Sequence, residues 1–355
     1  MKNIFFLFIF TICQSFLFSQ EFFFDLTKAL PQNYVKDGSI DYTNFIQKAI
    51  NKNKNVLFPD FPLLINYNGL KLKSSSVYKF QENSKLIMQK TNKPGYNMLD
   101  CNNKENISII GAILIGDRKT HLGNEGEWGF GISLRGSRNI SIENVKIYDC
   151  FGDGIYIGRL NNKISKNIII SNAYVNNSRR NGLSITSGID VKICDSKFIS
   201  SNGKGPSSGI DIEPNSAEDE IENIRLDNIE TNKNENWGLL INLVNLSKNI
   251  TKEKKVTIFI SNYLDNESKY GLSFWLNRNI NNDKDIIIKG NIFMGKIKLV
   301  NNFQPIKFFS FYKNNINVNI SDLTVNGLNR KKIKDILLKY KKNKRIKISN
   351  LKYVN

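Results

Sequence analysis

The sequence predicts an all-β solenoid, a stack of short parallel strands wound as a β-helix. Three observations lead there. A phrase of glycine, apolar, variable, apolar recurs: Gly131-Ile132-Ser133-Leu134, Gly154-Ile155-Tyr156-Ile157, Gly182-Leu183-Ser184-Ile185 and Gly209-Ile210-Asp211-Ile212, with weaker copies at Gly238 and Gly271. The spacing, about 23 to 33 residues, is that of a solenoid or array. A second phrase alternates with the first: Asn106-Ile107-Ser108-Ile109, Asn139-Ile140-Ser141-Ile142, Asn167-Ile168-Ile169-Ile170, Asp190-Val191-Lys192-Ile193 and Asn223-Ile224-Arg225-Leu226. Finally, no helical pattern separates successive copies, which excludes a leucine-rich repeat; two or three strands per repeat are too few for a propeller blade.

The chain begins with Lys2 and an apolar run from Ile4 to Phe10 that resumes at Phe16, ending at Leu17-Phe18-Ser19. This is the pattern of a secretory signal peptide over residues 1–19. Gln14-Ser15 interrupt the apolar run, so it is no stable membrane span, and Ile12 before Cys13 departs from a lipoprotein pattern. Residues 20–355 then form one exported domain. Asp41 to Lys52 has apolar residues Phe45, Ile46, Ala49 and Ile50 at helical spacing, with Asp41 or Thr43 as cap. A short helix here suits the end of a solenoid, whose open row of backbone groups and apolar side chains must be covered. Short strand patterns follow at Asn55–Phe58, Leu70–Leu72 and Lys85–Met88.

The best-formed coils are expected over residues 106–275. Alternation places one apolar row inside and the other side chains outside. A further Asn or Asp trails the second phrase at Asn144, Asn172, Asp195 and Asn228, suited to a left-handed turn and to a ladder along one corner. Beyond Lys252 the repeats loosen. The basic segment 329–355, with a helical pattern over Asp335–Lys344, is expected to be a second cap or a tail.

Composition narrows the chemistry. The 51 basic and 32 acidic residues give a formal net charge of +19, consistent with an anionic partner such as an acidic polysaccharide. The charge is spread along the chain and the leader directs export, which argues against nucleic acid. His121 is the sole histidine, so a multi-histidine zinc site is excluded and a Ser-His-Asp triad has one residue to draw on. Cys101, Cys150 and Cys194 are an odd number without close pairing, and are expected to pack as small apolar residues.

The early helix, the Leu57-Phe58-Pro59 entry and the coils resemble the pectin-lyase-like right-handed parallel β-helix superfamily. Segments Gly126–Gly129, Asp149–Gly158, Arg179–Ser184 and Gly209–Pro214 look like a group of exported bacterial proteins within it. The resemblance implies a single-stranded right-handed β-helix and a carbohydrate-directed activity: lyase, hydrolase, epimerase or binding only. There is no paired Asp-Asp motif, Phe130 stands where a polygalacturonase would have Gly-His-Gly, and no epimerase signature is evident.

If Ile155, Leu183, Ile210 and Leu239 point inward, Ser133, Tyr156, Ser184, Asp211 and Leu240 form one outward column. Arg135, Gly158, Thr186, Glu213 and Asn242 form the next. Asp211, Glu213 and Arg180 are therefore the catalytic candidates; Asp153 joins them although its parity points inward. Arg179, Tyr156, Trp128, His121 and Arg135 are the substrate-binding candidates, with His121 and Trp128 in or at the end of the excursion 116–129. Two carboxyls two residues apart raise one another's pKa and suit a general acid, or together hold a cation such as Ca2+. As a lyase, Arg180 or a lysine would take the C5 proton while Arg179 or a cation neutralises the carboxylate. As a hydrolase, Asp211 and Glu213 would divide the acid and base roles. The alternative is a non-catalytic glycan-binding or surface structural protein.

Overall fold

The computed structural model describes residues 22–247, 252–276, 288–309, 315–327 and 345–354. The signal-peptide segment and the helical pattern at 335–344 lie outside them. The chain is a right-handed parallel β-helix. Each coil contributes strands to three faces. One face is a nine-stranded sheet formed by the glycine phrases, running from Leu70–Lys71 through Gly95–Asp100, Trp128–Arg135, Ile155–Gly158, Leu183–Ile185, Ser208–Ile212, Trp237–Asn242 and Tyr270–Trp275 to Gln304–Phe309. The other two faces belong to one 17-stranded sheet. In the early coils they are separate strands, such as Arg138–Glu143 and Lys146–Tyr148; from Gly188–Ile199 onward each pair runs together as one long bent strand.

The apolar residues of the second phrase stack coil upon coil. Ile107, Ile140, Ile168, Val191, Ile224, Ile258, Ile292 and Val318 are register partners in sequence, and all are buried. Each contributes about 1.5–3 kcal/mol by leaving water. The corners are turned by residues in the left-handed region, and there are two asparagine ladders rather than one. Asn106, Asn139 and Asn167 have φ of 57°, 52° and 55° and pass amide hydrogen bonds of 2.9 Å from coil to coil. The trailing set does the same, with Asn172 donating to Asn144 at 2.6 Å and Asn228 to Asp195 at 2.7 Å. A short polar side chain tolerates this backbone and satisfies its neighbour above or below.

The glycine of the first phrase answers a packing need. A Cβ on Gly182 would lie 2.6 Å from the Gly209 carbonyl oxygen and 2.9 Å from the Phe198 Cβ; on Gly154 it would meet Val175 at 2.2 Å.

The N-terminal helix, Thr43–Lys52, begins after Asp41, whose carboxylate accepts from the Thr43 amide at 2.9 Å. Ile46, Ala49 and Ile50 are buried against the first coil, whereas Phe45 is 38% exposed and meets Tyr42 edge-on. Gln47 receives the Lys71 amide at 2.8 Å and donates to the Lys71 carbonyl at 2.9 Å. That amide side chain closes the first strand of the nine-stranded sheet, where an edge would otherwise be open. Coils are formed well outside 106–275: strands pair in register from Asn55–Phe58 to Asn315–Asn326. Ile346–Val354, expected within a cap or tail, is one more parallel strand on Asn315–Asn326. Cys101 and Cys150 are buried free thiols, their pKa pushed up by burial, and Cys194 is partly exposed. No described helix is long and apolar enough to cross a membrane.

Candidate functional site

Register delivers the outward column as expected. Ser133, Tyr156, Ser184, Asp211 and Leu240 are successive partners on the nine-stranded sheet. Above this column lies a pocket of about 420 Å³, whose lining includes Trp128, Arg135, Tyr156, Arg180, Asp211 and Glu213. Residues far apart in sequence meet here because each stands one coil, ~4.8 Å, from the next.

Arg180 is the hub. It sits in the turn before Leu183–Ile185, and its Nη1 donates to Asp153 Oδ2 at 2.9 Å, with Glu127 3.8 Å from Nε. Asp153 does not turn into the apolar core as its parity suggested: it is fully buried beneath the outward column, accepting also from the Asn181 amide at 3.0 Å and the Ser184 hydroxyl at 2.8 Å. Its place is thus behind Arg180, away from the pocket. Burial raises the Asp153 pKa, opposed by the Arg180 charge. For Arg180, burial works against the cation, but Asp153, Asp211, Glu127 and Glu213 outweigh it and raise its pKa. A guanidinium held this firmly charged is poorly suited to take a C5 proton, which weighs against Arg180 as a lyase base.

Asp211 and Glu213 form the acidic pair. Asp211 is only 1% exposed, and its Oδ2 accepts from Asn181 Nδ2 at 3.1 Å. Burial, then the neighbouring Glu213 charge, pushes its pKa well above the usual carboxylate range. Burial raises Glu213 too, while Arg180 and hydrogen bonds from Asp211 and Asn242 favour its charge. Asn242 Nδ2 donates to Glu213 Oε1 at 2.5 Å. Burial and the Glu213 charge therefore favour the protonated form of Asp211 more strongly than Arg180 opposes it. Asp211 Oδ1 is buried without a hydrogen-bond partner, and both carboxyls line the same pocket.

The calcium expectation fits poorly. Calcium needs six to eight oxygen ligands, and the described residues contain no cluster of three or more His, Cys, Asp or Glu side chains able to hold a metal ion. Here the positive charge among the carboxyls is Arg180.

Tyr156 and Arg135 form one wall. The Tyr156 ring stacks on Phe130 at 4.8 Å, the Arg135 guanidinium lies 4.7 Å over it, and Arg135 Nε has no protein acceptor. Trp128, 53% exposed, presents its ring at another side. Two predicted binding residues are committed elsewhere. The His121 ring is stacked on Phe151 at 3.4 Å and paired with Asp117 at 2.7 Å, its side chain 2% exposed, so it cannot reach a ligand. Arg179 donates to the Gly126 and Asn124 carbonyls at 2.6 Å and covers the other aromatic contact of Phe151 at 4.2 Å, anchoring the excursion rather than facing the pocket.

Sequence reasoning missed three residues. Asn181 is fully buried and ties Asp211, Ser184 and the Ser208 amide together. Arg159 lines the pocket and holds the following loop through Asp219 at 3.0 Å; Asn215 of that loop donates to the Tyr156 hydroxyl at 3.2 Å. Asn181 stood in the glycine phrase beside Arg180, a signal that register could have used. Arg159 and Asn215 depend on loop paths that periodicity does not describe.

No protein-family model matches the chain. Over 215 residues, 56% of the chain, it is 34% identical to YclG, an uncharacterized protein of Bacillus subtilis (strain 168), covering 34% of that protein. It is 36% identical over 141 residues to YorA, an SPbeta prophage-derived uncharacterized protein of the same organism, covering 34% of this chain and 23% of YorA. The chain thus spans about a third or less of these curated relatives. Among solved structures, a mutant tailspike of E. coli bacteriophage HK620 in complex with a hexasaccharide is similar at TM-score 0.61 and 11% identity, covering 85% of this chain and 57% of that one. The Streptococcus pneumoniae surface protein and adhesin PfbA is similar at TM-score 0.58 and 15% identity, covering 94% and 97%. The A-module of the Azotobacter vinelandii mannuronan C-5 epimerase AlgE6 follows at 0.57 and 12%, covering 94% and 99%. At these identities the likeness is one of fold.

Proposed function

We propose that this right-handed β-helix of the pectin-lyase-like superfamily is an exported carbohydrate-active protein that hydrolyses an acidic, uronic-acid-containing polysaccharide at the pocket over Asp211 and Glu213. The observation that carries the reading is the buried Asp211 beside Glu213 and Arg180 on one pocket lining, where burial favours a proton on the acidic pair. Asp211 gives its proton to the glycosidic oxygen as the bond to the anomeric carbon breaks. A water attacks that carbon and passes its proton to Glu213. Arg180 offsets the negative charge left on the pair, and Asn181 and Asn242 hold both carboxyls in place. Acid and base are then two members of one carboxyl pair. Arg135, a cation on the pocket lining beside Tyr156, suits a uronate carboxylate, and Trp128 suits stacking on a sugar face. Hydrolysis is favoured over elimination because no group at the pocket is a strong neutral base. Export is supported by the signal-peptide pattern of the first 19 residues, and the fold is shared with the oligosaccharide-bound tailspike.

The near-complete burial of Asp211 favours a second reading, in which the carboxyls only shape a glycan-binding surface. Incubation with a panel of acidic and neutral polysaccharides separates the two. New reducing ends without an ultraviolet-absorbing unsaturated sugar indicate hydrolysis, and the unsaturated sugar indicates elimination. Saturable binding without product supports the binding reading.

A further inference from the structure

The nine-stranded sheet continues past the acid pair, and its outward side chains change character. Asn242, which donates to Glu213, is followed in register by Trp275 and Phe309. The middle column runs from Asp211 through Leu240 and Ser273 to Lys307. At ~4.8 Å per coil, Trp275 and Phe309 lie about 10 and 14 Å from Glu213 along the same face. The rings are half-buried and pack on one another: Trp275 against Phe309 at 4.2 Å, Trp237 against Tyr270 at 6.1 Å. Lys307 Nζ sits between two of them, 4.3 Å from the Tyr270 ring and 4.3 Å from the Phe309 ring. Among the described residues, no salt bridge engages it. The indole N–H groups of Trp237 and Trp275 are buried without a protein acceptor.

We propose that this patch is a remote binding site for a further anionic sugar of the polysaccharide that occupies the pocket, with Lys307 taking a carboxylate or sulfate and Tyr270, Trp275 and Phe309 packing against the ring. The proposal rests on the glycan reading of the pocket. Three features single out this occupant. The patch is continuous with the pocket on one face, so an extended chain in the pocket passes over it. Its charge is positive, with the Lys307 and Lys269 ammoniums 4.3 and 5.6 Å from the Tyr270 ring, complementary to an anionic chain and unsuited to an apolar partner. Flat rings flanked by ammonium donors match a sugar, whose faces are apolar and whose edges carry acceptors. The geometry also sets a length requirement, because a disaccharide at Asp211 and Glu213 does not reach Lys307.

The test is binding by calorimetry to the full chain, which does not depend on turnover. The probes are oligogalacturonides from disaccharide to octasaccharide, the same oligomers with reduced carboxyls, and heparin octasaccharide. The expected result is that Lys307→Met weakens the octasaccharide about tenfold, the scale of one charged contact, and leaves the disaccharide unchanged, while Lys307→Arg restores affinity. Whether galacturonide or heparin responds identifies carboxylate or sulfate as the anion. Equal octasaccharide affinity in wild type and Lys307→Met overturns the proposal, as does an equal loss with the carboxyl-reduced oligomers. Failure of the pocket reading looks different: Asp211→Asn then leaves product formation or its absence unaltered, while the length and charge dependence at Lys307 stands or falls separately.

Discussion

At position 211 a carboxyl group is enclosed by the fold near a second carboxyl two residues on, and burial favours its protonated form. Removing either partner breaks that pair. Asp211→Asn and Glu213→Gln are each expected to lower kcat by about 10²- to 10⁴-fold, with far-ultraviolet circular dichroism unchanged because the backbone register is set elsewhere. The pH dependence follows from the direction of both shifts. Since burial raises both carboxyls, a proton on the pair persists above the ordinary carboxylate range and leaves as pH rises. Activity is therefore expected to fall on the alkaline side as the pair loses its proton, and Asp211→Asn should abolish that limb. Another buried carboxyl acts on stability. Asp265 accepts from Thr231, Ser268 and Asn302, yet burial outweighs these bonds and pushes its pKa up to about 6 from 3.8. A raised pKa in the folded state means that the stabilisation is complete below 3.8 and is lost as pH climbs through about 6. The scale is about 3 kcal/mol, since one unit is about 1.4. Urea midpoints across this window should decline with pH in the wild type and less steeply in Asp265→Asn.

The strand–turn unit shows what the sequence carried and what it did not. Period-two alternation gave the inward rows and the column through Tyr156, Ser184 and Asp211, because one face of each strand must be dry and a slip by one residue would reverse it. The same logic put Asp153 inward, whereas in the turn before the strand its carboxylate meets Ser184 of the outward column. It could not show that Asp211, on the outward column, would be covered, since that depends on how Arg180 and Asn181 fold over the strand. Nor could it show that His121 and Arg179 turn away to clamp the excursion; parity has no purchase on an irregular loop. The glycines were legible as a pattern but not as a cause. Their cause is contact, and it is testable: Gly182→Ala puts a methyl within 2.6 Å of the Gly209 carbonyl. It is expected to cost about 1–3 kcal/mol, seen as a lower urea midpoint with the α-to-β content unaltered. In the ladders, Asn167→Ala removes a hydrogen bond and leaves alanine at φ 55°, for an expected loss of about 1–2 kcal/mol.

At the scale of the molecule, the coils are held by their neighbours and the first one by the helix. That helix was legible from the spacing of Ile46, Ala49 and Ile50. Its role in closing a sheet edge through Gln47 was not, because a side-chain-to-backbone bond leaves no periodic trace. Ile46→Ala is expected to cost about 2–5 kcal/mol. Because it loosens the cover over an open strand, it should also raise light scattering with protein concentration, whereas Gln47→Ala should raise scattering with little change in the urea midpoint. The C-terminal coils were under-read, since their strands lack the glycine phrase although they pair in full register.

The stacking of Asp153, Ser184 and Asp211 on consecutive coils has one more implication. The reactive groups span neighbouring turns of the spiral, so their mutual distances are set by the pitch, a quantity that every coil shares. A duplicated turn inserted beyond Trp237 would lengthen the surface available to a polymer without disturbing them. The same insertion between Gly154 and Gly209 would separate Arg180 from its partners. The architecture thus keeps reach and reactivity as separately heritable traits, the first open to change by whole-turn duplication and the second closed to it.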